Sequence, residues 1–132
     1  VEAATISTVN DIQQAAQSLV GKVDAFYEPT DNIIASAMPT LISVTNSAKK
    51  PVICGESNMV KAGGLATYGV DYYQLGKQAG MMAADILEGK AKPADMPIQF
   101  AANLKAVVNK ANAAELGIAL PADLVNDAEV IE

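Results

Sequence analysis

The chain of 132 residues carries 15 acidic against 9 basic side chains, for a net charge of -6, and 51% of it is hydrophobic. That length suits one domain with a core that holds without disulfide or metal, and the acidic balance, with no basic stripe, disfavours nucleic acid or an anionic membrane as partner. There is no His and one Cys, Cys54, so the commonest general base is missing, no thiolate metal site or internal disulfide can form, and neither metal nor cofactor is expected.

Residues 1–6 form a short apolar, β-branched run that predicts a strand, and the segment VEAATIS lacks the regions of a signal peptide. Thr8-Val9-Asn10-Asp11 matches the capping-box pattern, and Ile12, Ala15, Ala16, Leu19 and Val20 then fall on one helical face, stopped by Gly21. Residues 23–27 predict a second strand. The stretch YEPTDN leads from it into a helical stripe of Ile33, Ala37, Leu41, Val44 and Ala48, in which Pro39 predicts a kink. Residues 51–55 predict a third strand, with Cys54 as a small buried hydrophobe.

A helical turn follows at residues 59–64, then an extended run at 65–70. Asp71 caps a long helix whose apolar face carries Tyr72, Leu75, Ala79, Met82, Ala83 and Ile86, with the methionine pair as core filler and Gly89 at the end. Residues 90–97 read as a linker, 98–101 and 104–108 as strands, and 109–116 as a short helix. The acidic tail from Pro121 is expected on the surface. No apolar run approaches the ~20 residues of a membrane helix.

Strands alternating with helices give an α/β fold with right-handed crossovers and a parallel sheet. In such sheets ligands bind outside the carboxyl ends of the strands. Three polar loops leave that edge. They offer Ser7 and Asn10, then Thr30, Asp31 and Asn32, then Glu56. Thr8 and Asp11 are explained by capping, Asp31 and Asn32 can be plain caps, and an exposed loop Glu often serves only solubility. No loop matches the Gly-rich dinucleotide fingerprint or the P-loop. Asp31 and Glu56 are conceivable as paired carboxylates, but no nucleophile or oxyanion hole accompanies them, so no catalytic residue is assigned and binding fits better than catalysis.

The runs VGKVDAFYEPTDN, KKPVICGESNMVKAGGLATYGVDYYQLGKQAGMMAADILEGKAKPADMPIQ and LKAVVNKANAAELGIALPADL together resemble the solute-binding proteins of ABC transporters, in particular the subgroup associated with aromatic amino acids such as tryptophan and tyrosine. The resemblance implies the type I periplasmic-binding fold, with two α/β lobes joined by three chain crossings and the solute clamped between them. This chain corresponds to the C-terminal portion alone. On that likeness it is one lobe, a three-layer sandwich with a parallel sheet: residues 1–58 form a βαβαβ core, residues 64–89 are a strand and helix that normally belong to the first lobe, and residues 98–132 return to the second.

The resemblance further implies a non-enzymatic, extracytoplasmic protein, periplasmic or lipid-anchored, that binds an amino acid-like solute and delivers it to a membrane permease. Its ligand-facing positions match Ser7, Asn10, Thr30, Asp31, Asn32 and Glu56. Chemistry assigns Asp31 to the solute's ammonium, and Asn32 with its helix N-terminus to the carboxylate. Tyr27 or Tyr68 can stack on a ring, although strand positions favour core packing. Without first-lobe strands, the helix bearing Tyr72, Leu75, Met82 and Ile86 would expose an apolar patch, to be hidden on the chain's own sheet or in a homodimer, perhaps swapped. An effector-binding regulatory or signalling α/β domain is the alternative. A repressor's basic head is not present in the sequence, and a phospho-receiver needs an acidic cluster where this chain has Ser7, Thr8 and Asn10.

Overall fold

In the computed structural model, which describes residues 1–132, the apolar runs supply five strands. They are β1 (Phe26–Glu28), β2 (Val52–Cys54), β3 (Ala66–Val70), β4 (Leu104–Asn109) and β5 (Glu129–Ile131), lying side by side in chain order. Three neighbouring pairs are parallel: Phe26 lies opposite Val52, Ile53 opposite Ala66, and Val108 opposite Val130. β4 meets β3 where the Asn109 N–H donates to the Leu65 carbonyl at 2.9 Å. The result is an α/β sheet of mostly parallel strands, as expected.

Seven helices accompany these strands: α1 (Ile12–Leu19), which precedes β1, and in the connections α2 (Asn32–Ser36), α3 (Met38–Ser47), α4 (Ser57–Lys61), α5 (Tyr72–Leu87), α6 (Lys110–Leu116) and α7 (Ala122–Asp127). The stripe read from residue 33 onward is two helices. Ala37 (φ -105°, ψ 9°) separates them, and Pro39 stands in the first turn of α3. Proline has no N–H to give a preceding carbonyl but fits a first turn, so the chain restarts its helix there rather than bending through. α1 packs along α3, and Ile12, Ala16, Ile34, Met38 and Leu41 close over Phe26, Val52 and Cys54 to make the core. Cys54 is a buried free thiol, as its apolar run implied.

Several expectations need correction. Residues 1–6 form no strand; β1 is the outermost strand on that side, so they have no adjacent strand to pair with. Residues 98–101 likewise form no strand, and Ile98 and Phe100 are exposed. The acidic tail is part of the fold: α7 leads into β5, which pairs with Val107–Asn109. The Glu129 carboxylate, beside Lys105 and Lys61, is held below the usual carboxylate range by the Lys105 hydrogen bond first and by both lysine charges, and these contacts offset the tail's negative charge. The methionine pair is not core filler, because no residue of α5 is buried and Met81 is exposed.

The chain divides into two units. One comprises Val1–Gly69 with Lys105–Glu132 and holds the core; the other is Val70–Leu104. The second unit consists of α5, capped by Asp71, whose carboxylate accepts from the Gln74 N–H at 3.1 Å, then a 3-10 turn (Pro93–Asp95) and an irregular segment. The Gln78 side chain ties that segment to α5, donating to the Gln99 side-chain oxygen at 2.7 Å and to the Phe100 carbonyl at 3.0 Å. No helix is long and apolar enough to cross a membrane.

Candidate functional site

Because β1 and β2 are parallel and Glu28 lies opposite Cys54, both strands end on one edge of the sheet. Each turn there closes with an acidic cap. Asp31 is extended (φ -145°, ψ 132°), and its Oδ1 accepts from the N–H groups of Ile33 at 2.8 Å and Ile34 at 3.0 Å, opening α2. Glu56 does the same for α4, with Oε2 accepting from Asn58 N–H at 2.8 Å and Oε1 from Met59 N–H at 2.9 Å. A free first turn presents unpaired donors, and a carboxylate in this position satisfies them.

The two turns touch. Gly55 N–H donates to the Glu28 carbonyl at 2.8 Å, and a Cβ at Gly55 would lie 2.6 Å from the Thr30 nitrogen and 2.8 Å from Thr30 Oγ1. Only glycine allows this approach. β3 completes the edge: a Cβ at Gly69 would fall 2.7 Å from the Gly55 carbonyl oxygen and 3.2 Å from Glu56 Cα. Thr30, Asp31 and Glu56 are thus gathered on one rim, with Asn32 beside them as the exposed first residue of α2.

Ser7 and Asn10 are exposed and linked to the rim only indirectly. The Asp11 carboxylate accepts from Ser7 N–H at 3.0 Å, Thr8 N–H at 2.8 Å and Thr8 Oγ1 at 3.1 Å. These bonds, the Ser7 one foremost, hold Asp11 below the usual carboxylate range. The 3-10 turn Val9–Asp11 so formed packs against α2. The expectation of an exposed Glu56 is corrected: it is 5% exposed, with both carboxylate oxygens engaged.

Glu28 was missed. It ends β1 partly buried, and burial pushes its carboxyl up to about 7. It borders a small, partly open pocket of about 60 Å³ that is otherwise lined by apolar side chains, among them Ile12, Phe26 and Leu41. In the sequence Glu28 follows Phe26-Tyr27 and precedes Pro29, a placement that does not by itself mark it as buried. Burial, followed by the charges of Glu28 and Glu56, pushes the Cys54 thiol up to about 12, which leaves it protonated and unreactive at neutral pH. Tyr27 and Tyr68, expected in the core, are 68% and 71% exposed. Phe26 and Cys54 take the buried face, so strand alternation turns Tyr27 and its partner Ile53 to the other face of the sheet.

A mostly parallel α/β sheet that collects short polar turns on its carboxyl edge is the build of the α/β solute-binding proteins, a class that is not enzymatic. The chain belongs to the family described as ABC transporter substrate binding protein, whose family model matches residues 1–131. It is 43% identical over 105 residues to a tyrosine-binding protein of Clostridioides difficile (strain R20291), covering 80% of this chain and 30% of that one. A solved ABC domain in complex with L-Trp from Streptococcus pneumonia superposes with a TM-score of 0.87 at 39% identity, over 100% of this chain and 44% of that one. The ligand-free, open structure of a substrate binding protein with adhesive properties from Clostridium difficile gives 0.75 at 37% identity, over 96% and 42%. The chain therefore spans less than half the length of these relatives. Nothing in them supports the homodimer expected from the bare helix.

Proposed function

We propose that this chain forms the solute-gripping second lobe of the substrate-binding component of an ABC importer. The solute is amino acid-like and aromatic, and the closed form is presented to a membrane permease on the outer side of the cytoplasmic membrane. The observation that carries this reading is the rim itself, where Thr30, Asp31 and Glu56 are drawn together by the Gly55 and Gly69 contacts. The tyrosine-binding relative and the L-Trp complex support the choice of solute.

Asp31 uses Oδ1 for its cap, and its second oxygen accepts from the solute's ammonium. Thr30 and Asn32 are exposed beside it and donate to the carboxylate. Ser7 and Asn10 contribute from the neighbouring turn. Glu56 acts by fixing α4 and the Gly55 backbone rather than by offering a free carboxylate. The Val70–Leu104 unit supplies first-lobe elements, a reading supported by its having no buried residue. Clamping then follows from better binding to the closed than to the open state.

Calorimetric titration of the full-length protein with L-tryptophan and L-tyrosine, native and Asp31→Asn, tests the site. Loss of the charge-assisted bond weakens binding by about tenfold or more. An unchanged affinity in Asp31→Asn would remove Asp31 from the site.

A further inference from the structure

Of the carboxyl groups at the rim, Asp31 and Glu56 accept hydrogen bonds and Glu28 has no partner. Its backbone is part of the rim, since the Glu28 carbonyl accepts from Gly55 N–H at 2.8 Å. Strand alternation turns its side chain to the same face as the buried Phe26. There it meets the pocket of about 60 Å³ that lies beneath two of the polar turns. Ile12, which follows the 3-10 turn Val9–Asp11, lines that pocket. So does Ile34, whose N–H donates to Asp31 Oδ1 at 3.0 Å. The carboxyl of Glu28 and the bases of both turns thus share one apolar space, and burial alone acts on that carboxyl.

The charges around it do not offset that burial. β2 and the turn after it bring Cys54, whose thiol stays protonated, and Glu56, whose two oxygens are engaged with α4. The polar turns bring Asp11 and Asp31, each bonded to backbone N–H groups of its own turn. Glu2, Lys22 and Asp24 line the wider groove that Glu28 also borders. α1, α2 and α3 contribute no charged residue. Carboxylates outnumber the single ammonium of Lys22, so these surroundings favour the uncharged acid.

An uncharged carboxyl can stay in an apolar pocket, whereas a carboxylate without a partner has to reach water. To do so Glu28 must swing out of the pocket, which leaves Ile12 and Ile34 unsupported beneath the turns that carry Ser7 and Asp31. We propose that Glu28 is a proton-sensitive latch under the binding rim: the protonated side chain holds the Asp31 turn in its solute-gripping form, and ionisation loosens that turn and lowers affinity for an amino acid-like solute. The inference rests on the proposed solute site and adds its regulation. By linkage, a solute that prefers the latched form also draws a proton onto Glu28. With the carboxyl of this form titrating near 7, affinity is greatest on the acid side and falls as pH rises through 7.

Calorimetry of the full-length protein with L-tryptophan and L-tyrosine at pH 6, 7 and 8, in buffers of different ionisation enthalpy, reads affinity and proton uptake together. The native protein is expected to bind about tenfold more weakly at pH 8 than at pH 6, the effect of about one unit of difference in proton affinity between free and bound forms. It is also expected to take up a fraction of a proton at pH 7. Glu28→Gln, uncharged throughout and of nearly the same shape, is expected to keep at pH 8 the affinity that the native protein shows at pH 6, with no proton uptake. A native affinity unchanged between pH 6 and pH 8, or a native slope that persists in Glu28→Gln, would overturn the latch and leave the solute reading standing. Absence of binding by the native protein at every pH would overturn the solute reading and the latch together.

Discussion

Glu28 shows how a single side chain can be hidden by its neighbours in sequence. Within YEPTDN the eye goes to Thr30, Asp31 and Asn32, whose cap chemistry is local and legible: Asp31 does cap α2. Glu28 depends on what folds over it, namely the apolar side chains of α1, α2 and α3, and nothing in the spacing announces that. Its raised pKa has a thermodynamic consequence. A carboxyl near 4.5 when unfolded and near 7 when folded binds its proton more tightly in the folded state. The contribution is fully present below pH 4.5 and is lost as pH rises through 7. Thermal melts of the chain across that window are expected to show a falling midpoint that Glu28→Gln flattens. Parallel pH profiles for the two proteins would place the carboxylate in water in both states.

Among the elements, those with their own end signals were readable from sequence and those that depend on distant partners were not. The 3-10 turn and α1 begin after Thr8, α5 begins after Asp71, and Gly89 (φ 73°) follows its end. β5 has no such signal, because the three residues Glu129–Ile131 become a strand only beside β4, with Glu129 paired to Lys105 of β4 and Lys61 of α4. Residues 1–6 and 98–101 show the converse, strand-like sequence without a partner to pair with. α4 depends on one side chain. Its five residues are too few to be stable alone, and Glu56 satisfies two first-turn donors from a nearly buried position. Glu56→Ala is therefore expected to cost about 1–2 kcal/mol, measured as a lower urea midpoint with unchanged slope. A midpoint equal to that of the native chain would show that the cap does not hold α4.

For the whole molecule, the α/β class and the parallel edge were legible because the period of the apolar residues fixes them. The meeting of the loops was not, since it depends on contacts such as Gly55 with Thr30, 25 positions apart in the chain. In the proposed function the rim is one jaw of a clamp, and a jaw alone forfeits the contacts of the other. The absence of Trp from this chain makes the fluorescence of L-tryptophan a direct readout of that claim. Titrated in parallel, the full-length protein is expected to saturate with L-tryptophan in the micromolar range, and the 132-residue chain to show no saturation below millimolar. Equal micromolar affinity in the two, or no binding by the full-length protein, would contradict the account.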